Sequence, residues 1–360
     1  MKKSLLALAA LTAFAGVASA QSSVTLFGVV DVAATSVTND NAAVGSKTVR
    51  SLGTDGINSS RIGFRGLEDL GGGLRAGFWI EGGFGPDTGC GATTLGTPAT
   101  CAGQTWQRRS TASLIGNFGE VRLGRDYTPT FNNIAAYDPF GYNGTGHVGN
   151  LRSGLGSGAA TQVRANNTIA YFLPAMGGLY GQLQVAAGEG ATGNKNVSGR
   201  LGYAAGPLNV SGAYAKTYKT GAMIDDYKTI NFGASFNMGF ATLQGAFEKN
   251  DYSTAAQKLV MIGALVPIGA GTVRLSYVQS KANSLATAVP ATNRLDIGAK
   301  QYGIGYVYDL SKRTALYTQY ARINNNAAAT LSVYQANGNT VQPSAGKTSS
   351  GYQFGIRHFF

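Results

Sequence analysis

The chain closes with the stretch Gly351-Tyr352-Gln353-Phe354-Gly355-Ile356-Arg357-His358-Phe359-Phe360. Successive side chains of a β-strand point to opposite faces, so this stretch predicts one apolar, aromatic face and one mostly polar face. The apolar face would carry Tyr352, Phe354, Ile356, His358 and Phe360. Such an apolar face must be shielded from water, either by packing in a protein core or by contact with lipid.

The composition argues against a helical or doubly wound enzyme. Among 360 residues there are 52 Gly, 18 Tyr and 16 Phe, and only 13% are charged. The mean hydropathy of -0.03 fits neither a highly charged soluble surface nor a helical membrane protein. The chain is therefore expected to be half apolar and half polar along its whole length.

The first 20 residues have the pattern of a cleaved secretory signal. Lys2 and Lys3 precede an apolar run from Leu5 to Val17, and Ala18-Ser19-Ala20 supplies small residues before a cut at Gln21. No later run is long and apolar enough for a transmembrane helix. The exported chain is then either soluble or a β-barrel. Without Lys2 and Lys3 the net charge falls from +12 to +10, which still favours small anions, and no basic tract suggests nucleic acid.

Alternating segments of about ten residues run through the rest of the chain and predict sixteen strands. Their connectors alternate between short Gly/Pro-rich turns and long polar loops. The long loops are predicted at 35–56, 85–105, 127–164, 189–196, 218–226, 250–256, 282–298 and 324–350. This layout predicts an all-β fold, a 16-stranded antiparallel transmembrane β-barrel with short periplasmic turns and long external loops. A soluble sandwich or propeller is the alternative.

Cys90 and Cys101 are the only cysteines, and both lie in the Gly/Thr/Pro-rich segment before Gln104. In an exported loop, two cysteines most simply form one disulfide.

Three internal segments and the closing stretch resemble the general porins of Gram-negative outer membranes, in the Neisseria and Burkholderia form. The segments are Ser23-Val24-Thr25-Leu26-Phe27-Gly28-Val29-Val30-Asp31, Ser60-Arg61-Ile62-Gly63-Phe64-Arg65-Gly66-Leu67-Glu68-Asp69-Leu70-Gly71 and Phe118-Gly119-Glu120-Val121-Arg122-Leu123-Gly124-Arg125-Asp126-Tyr127-Thr128-Pro129. The resemblance implies one porin domain over 21–360, passive diffusion of small hydrophilic solutes, and no cofactor. It also implies a homotrimer in contact with outer-membrane lipids and lipopolysaccharide.

The resemblance further implies that the third loop, 127–164, folds into the lumen and narrows it. Acidic groups of this loop would then face a ladder of arginines. By position the ladder falls on Arg61, Arg108 and Arg164, although Arg109 could replace Arg108, and the acid is Asp138. Further basic residues along the path are Arg75, Arg125 and Arg152. Because several arginines face little negative charge, the sequence predicts that the channel selects small anionic solutes and also lets neutral solutes pass.

Two further expectations concern the closing strand. An open sheet edge in lipid leaves backbone groups unpaired, so the strand should pair with the first strand at Val24 to Val32 and seal the barrel. The resemblance adds that the terminal aromatic, Phe360, is read by the outer-membrane assembly machinery.

Other functions stay open at this point. A substrate-specific channel for phosphate-like or dicarboxylate solutes would use the same basic residues. A non-conducting structural or adhesin barrel predicts a plugged lumen. An enzyme is disfavoured, because His147 and His358 are the only histidines and neither forms part of a Ser/His/acid set.

Overall fold

A computed structural model of the chain describes residues 23–91, 103–283, 297–326, 328–334 and 341–360. Within these ranges, no helix combines the length and apolar character that crossing a membrane requires. The described chain consists mainly of seventeen strand segments. They are β1 (Ser23–Asn39), β2 (Lys47–Gly53), β3 (Arg61–Gly71), β4 (Leu74–Gly83), β5 (Arg109–Gly116), β6 (Gly119–Tyr127), β7 (Arg164–Phe172), β8 (Leu179–Ala186), β9 (Asn196–Ala205), β10 (Leu208–Thr217), β11 (Tyr227–Asn237), β12 (Thr242–Tyr252), β13 (Ala255–Ile268), β14 (Gly271–Ala282), β15 (Ala299–Asp309), β16 (Thr314–Asn325) and β17 (Thr348–Phe359).

The sheet closes on itself. On one side β1 pairs antiparallel with β17, from Val29↔Phe359 to Asn39↔Ser349. On the other side it pairs with both β2 and β3, which are two parts of one barrel strand separated by residues 54–60. Each of the other strands pairs with its sequence neighbours. The predicted closed 16-stranded antiparallel barrel is confirmed for the described residues.

Side chains alternate between the two barrel faces as the closing stretch predicts. Tyr352 and Phe354 are 63% and 66% exposed on the outside, whereas Gln353 between them is buried and donates to Thr35 Oγ1. A lipid solvent favours the apolar outer row, and the polar inner row needs water or polar partners. The barrel thus carries its apolar surface outward instead of burying it in a core.

The structure corrects three sequence-based boundaries. Most of the predicted loop 35–56 is strand, because β1 continues to Asn39 and the polar, β-branched segment Lys47–Gly53 pairs with it. The predicted loop 250–256 is a tight turn at 253–254, with Ser253 at a φ of 53°. The closing strand pairs with β1 from Gly28 to Asn39, and not from Val24 to Val32, because its terminal residue Phe360 reaches only Gly28, with backbone hydrogen bonds of 3.1 and 3.2 Å.

The connection between β6 and β7 packs against the inner wall of the barrel. It contains helix α1 (Pro129–Ala136) and a 3-10 turn (Val148–Leu151). Apolar side chains of this loop form a buried cluster with wall residues of β12 to β16. The loop members are Ile134, Tyr137, Val148 and Leu151. Burial of this apolar surface holds the loop inside the barrel, and the lumen stays open on the side of β3 to β7.

Two wall glycines allow this close approach. A Cβ at Gly233 would overlap the ring of Tyr137, and one at Gly263 would overlap Pro139 of the same loop. We therefore expect Gly233→Ala to lower the free energy of unfolding by about 1–3 kcal/mol, through overpacking. Gly245→Ala is the matched control, because a Cβ there meets only the Met261 carbonyl oxygen at 3.6 Å. Urea unfolding in detergent measures both variants. Equal losses would contradict the packing argument.

The break between β2 and β3 is organised by Asp31. Its carboxylate is buried and accepts backbone N–H groups of Gly56, Ile57 and Asn58 at 2.9 to 3.1 Å, and it also accepts the Tyr317 hydroxyl at 2.6 Å. These bonds replace the ladder bonds that residues 54–60 do not make. The break is thereby fixed in shape, and it carries Asp55 to the loop side of the lumen.

Candidate functional site

A cavity of about 670 Å³ lies between the inward loop and the strand wall. Arg61, Arg108 and Arg164, which the sequence placed in a ladder, all line it. They come from the start of β3, the residue before β5 and the start of β7. These are alternate strands of the wall, separated by β4 and β6, and each begins at the long-loop end of the barrel, which brings the three arginines to one level. The predicted arginine set is therefore assembled in one place by the fold.

Glu81 on β4 lies between two of these arginines. Arg108 Nε donates to Glu81 Oε1 at 2.6 Å, and Arg61 Nε lies 3.6 Å from the same oxygen. The other carboxylate oxygen accepts from Trp79 Nε1 at 3.2 Å. One carboxylate between two guanidinium groups reduces their mutual repulsion and fixes the side chain of Arg108.

Tyr127 joins Arg108 to Arg164, as Glu81 joins Arg61 to Arg108. Its hydroxyl accepts from Arg108 Nη2 at 3.2 Å and from Arg164 Nη2 at 2.5 Å. The guanidinium carbon of Arg164 lies 4.1 Å from the centroid of the Tyr127 ring, and Arg164 Nε donates to the Arg108 carbonyl at 2.8 Å. The three guanidinium groups are thus held in fixed positions, with cation–π contact contributing for Arg164.

The opposite side of the cavity is made by the inward loop and by Tyr334. Four rings follow one another there, with centroids 4.8 Å apart from Phe131 to Tyr142, 5.1 Å from Tyr142 to His147 and 5.5 Å from His147 to Tyr334. Burial lowers the pKa of His147 to about 4, so its ring is neutral near pH 7. The only carboxylate lining this cavity, among the described residues, is that of Asp55, which accepts the Tyr334 hydroxyl at 2.9 Å.

The structure corrects the prediction for Asp138. Its side chain is buried beneath the loop and does not line the cavity. The carboxylate accepts backbone N–H groups of Phe140, Tyr142 and Val148 at 3.0 to 3.1 Å. Burial raises its pKa to about 6, against the effect of these three bonds. Asp138 therefore organises the loop backbone instead of facing the arginines, and Asp55 takes that place.

Arg152 is also placed differently from the sequence prediction. Its side chain is only 3% exposed, and Nε donates to the fully buried Glu248 at 2.6 Å. Nη1 donates to the Gln162 carbonyl at 2.9 Å. A guanidinium paired in this way contributes little field to the lumen, but it ties the inward loop to β12. Arg152 is an anchor of the loop and not a pore-lining charge.

The two other basic residues predicted along the path differ from each other. Arg75 has the inward parity of Trp79 and Glu81 and is exposed near the short-turn end. Arg125 has the parity of Leu123, which is 49% exposed on the outer face, and its Nε donates to the Gln107 carbonyl at 2.6 Å. Strand alternation thus places Arg125 outside the lumen, which corrects the prediction.

A second cavity, of about 370 Å³, lies in the same lumen toward the short-turn end. Arg65, Arg109 and Arg122 line it together with Glu120. Arg109 is also 3.6 Å from Asp126, so the structure separates it from Arg108, which lines the first cavity. Sequence reasoning missed this group, although Arg65 has the same strand parity as Arg61, which it had assigned to the lumen.

The first cavity carries a net positive charge. Three guanidinium groups stand against the carboxylates of Asp55 and Glu81, a net charge of +1 with His147 neutral. Inside a narrow, low-dielectric wall such a charge raises the local concentration of anions. Asp55 and Tyr334 could not be found from sequence, because the break after β2 and the eighth loop bring them to this level only in the fold.

Cys101 lies outside the described residues, so the pairing with Cys90 stays a prediction. Phe360 lies on the outer face, 44% exposed, with its ring against Gly28.

Comparisons with known proteins agree with the fold. The family model described as Gram-negative porin matches residues 7–328. "Outer membrane porin protein 32" of Delftia acidovorans is 40% identical over 375 residues and covers 100% of both chains. "Major outer membrane protein P.IB" of Neisseria gonorrhoeae is 27% identical over 347 residues, which is 88% of this chain and 91% of that protein.

Solved structures give the same result. The "anion-selective porin from Comamonas acidovorans" superposes with a TM-score of 0.81 at 37% identity, over 94% of this chain and 100% of that one. The trimer form of OmpT, an outer membrane protein of Vibrio cholerae, has a TM-score of 0.64 at 13% identity, over 94% and 99%. This last likeness concerns the fold alone. The chain belongs to the Gram-negative porin family and is a transmembrane β-barrel of the outer membrane.

Proposed function

We propose that this porin is a general diffusion channel with a preference for small anions. The observation that carries the proposal is the cavity in which Arg61, Arg108 and Arg164 outnumber the carboxylates. The name of the similar Comamonas structure, an anion-selective porin, supports it. The relatives are porins by name, and we infer no enzymatic activity.

Swelling of proteoliposomes tests the diffusion part of this proposal. Arabinose, gluconate and glucosamine serve as neutral, anionic and cationic probes of similar size. We expect the gluconate rate to exceed the glucosamine rate, and all three rates to rise in proportion to concentration. A faster glucosamine rate would contradict the anion preference, saturation by gluconate would favour a substrate-specific channel, and no swelling would favour a structural barrel.

The low pKa of His147 predicts how selectivity depends on pH. An ordinary imidazole, with a pKa of about 6.5, would gain positive charge between pH 7 and pH 5. Because burial lowers the pKa of His147 to about 4, it stays neutral over this range. We expect the same change of reversal potential from pH 7 to pH 5 in the wild type and in His147→Gln. Asp138, with a pKa of about 6, titrates in both proteins, so its contribution to the change of reversal potential is the same in each. A larger gain of anion preference in the wild type would contradict this.

We also propose that the chain assembles as a homotrimer, as the family resemblance implies. Light scattering of the detergent-extracted protein should give the protein mass of three chains. A mass of one chain would contradict the proposal.

Lysines on the outer face support binding of lipopolysaccharide phosphates. Lys249 faces Lys258, and Lys258 faces Lys281, directly across neighbouring strands near the long-loop end. Asp251 pairs with Lys249 at 2.8 Å, whereas the like charges of Lys258 and Lys281 repel unless an anion lies between them. We expect lipopolysaccharide to raise the unfolding temperature less in Lys258→Glu/Lys281→Glu than in the wild type. Lys312→Glu, in a short turn, is the control. An equal rise in all three proteins would contradict this site.

Three further expectations complete the proposal, of which only the last comes from the family resemblance. Residues 1–20 would be removed, so that N-terminal sequencing of the exported protein begins at Gln21. Cys90 and Cys101 would form one disulfide, which mass spectrometry without reduction detects. Phe360 would be recognised by the assembly machinery, and its deletion would lower the amount of folded barrel in the outer membrane.

A further inference from the structure

The two sides of the constriction cavity differ in chemistry. One side presents the guanidinium groups of Arg61, Arg108 and Arg164, and the other presents rings from the inward loop and the eighth loop. Tyr127 lies where the sides meet, since Arg164 stacks on its ring and Phe131 stacks parallel to it, with centroids 4.8 Å and planes 13° apart. A solute in this cavity can therefore contact a cation with one end and an aromatic surface with the other.

The ring side offers little for a second negative charge. His147 is buried and neutral, and the carboxylate of Asp55 lies beside Tyr334 on this side. A dicarboxylate bound to the arginines would bring its second carboxylate toward Asp55, and repulsion would weaken its binding. An inorganic anion would contact the arginines only. The arrangement favours a single negative charge attached to a flat apolar group.

From this geometry, we propose that the cavity is a binding subsite for aryl carboxylates, with the carboxylate at Arg61, Arg108 and Arg164 and the ring at Phe131, Tyr142 and Tyr334. The proposal rests on the proposed function, because the solute reaches the subsite through an anion-preferring lumen. A cavity of about 670 Å³ accommodates a single-ring acid and its water. Offset or edge contacts with the protein rings add to the burial of the solute ring.

Block of the single-channel chloride current tests the proposal, with benzoate, propionate and succinate as probes at equal concentration and near-neutral pH. We expect saturable block by benzoate, with propionate and succinate each needing at least about threefold higher concentration for the same block. If benzoate and propionate produced the same block at the same concentration, the inference would be overturned. Stronger block by succinate would overturn it as well, in favour of a dicarboxylate site.

Two ring variants locate the subsite. Phe131→Leu and Tyr334→Leu keep every charge of the cavity, and each should weaken the block by benzoate about threefold to tenfold, with propionate unaffected. Phe118→Leu, in an exposed short turn, is the matched control for a lost ring. Unchanged benzoate block in both cavity variants would overturn the subsite. If the ring variants keep both the anion preference and the full benzoate block, only the subsite is wrong. If the wild-type channel shows no anion preference, the proposed function is wrong.

Discussion

Arg61→Glu is expected to lower the ratio of chloride to potassium permeability about tenfold at low salt. The substitution turns the net charge of the cavity from +1 to −1, since it removes one guanidinium and adds one carboxylate. Two unit charges a few ångströms from a permeating ion change its energy by about 1–2 kcal/mol in a water-filled lumen, with opposite signs for chloride and potassium. Without screening, the permeability ratio would therefore change by more than tenfold, and screening by the salt present reduces the change to about tenfold. The effect should shrink as salt is raised, because screening shortens the range of the field.

Reversal potentials across a potassium chloride gradient measure this change. Arg75→Glu is the first control, because it makes the same formal change at the exposed short-turn end of the lumen and should have a smaller effect. Arg322→Glu is the second, since its parity is opposite to that of the buried Ala321 and Ile323 and places it outside the lumen. Equal effects of Arg61→Glu and Arg322→Glu would show that the position of the charge does not matter, and would contradict the site.

Arg152→Met is expected to destabilise the barrel by about 3–5 kcal/mol and to release the inward loop. The substitution leaves Glu248 buried without its partner, and unpaired buried charge carries a penalty of this size. Because the loop narrows the lumen, we expect a larger and noisier single-channel conductance, together with a lower urea midpoint in detergent. Any substitution of Arg152 therefore mixes a change in selectivity with loss of structure.

A double-variant cycle separates the ion pair from general packing. Arg152→Met/Glu248→Gln removes both charges and keeps a side-chain oxygen near the buried amides of Asn231 and Asn250, so it should regain most of the lost stability and the wild-type conductance. If the double variant were as unstable as the sum of the two single variants, the ion pair would not be what anchors the loop.

The barrel could be predicted from sequence because strand alternation and connector length are local signals. In Gly351–Phe360, every second side chain lies on the same face of the sheet, and the short turns are marked by glycine. The prediction of a loop at 35–56 was wrong because β1 and β2 continue beyond the membrane, where the outward side chains are polar and the alternation of apolar residues is lost. The break at 54–60 depends on Asp31 and Tyr317, which are far apart in sequence and meet only when the barrel closes.

The arginine wall was predictable, but its partners were not. Arg61, Arg108 and Arg164 follow from matched motifs, whereas the roles of Asp138 and Arg152 depend on what the loop buries. A carboxylate and a guanidinium in a loop look alike in sequence whether they face water or a buried partner. Arg125 is a different case, because its assignment to the lumen followed its position at the end of the strand, whereas alternation from the outward Leu123 places it outside.

The reversal potential of the wild-type channel in a potassium chloride gradient shows whether the arginines at the constriction make the lumen prefer anions. The three arginines at the constriction predict the sign set by chloride permeation, with a magnitude that falls as the mean salt concentration rises through about 1 M, where the Debye length is about 3 Å. A potential of the opposite sign, set by potassium, would contradict the account.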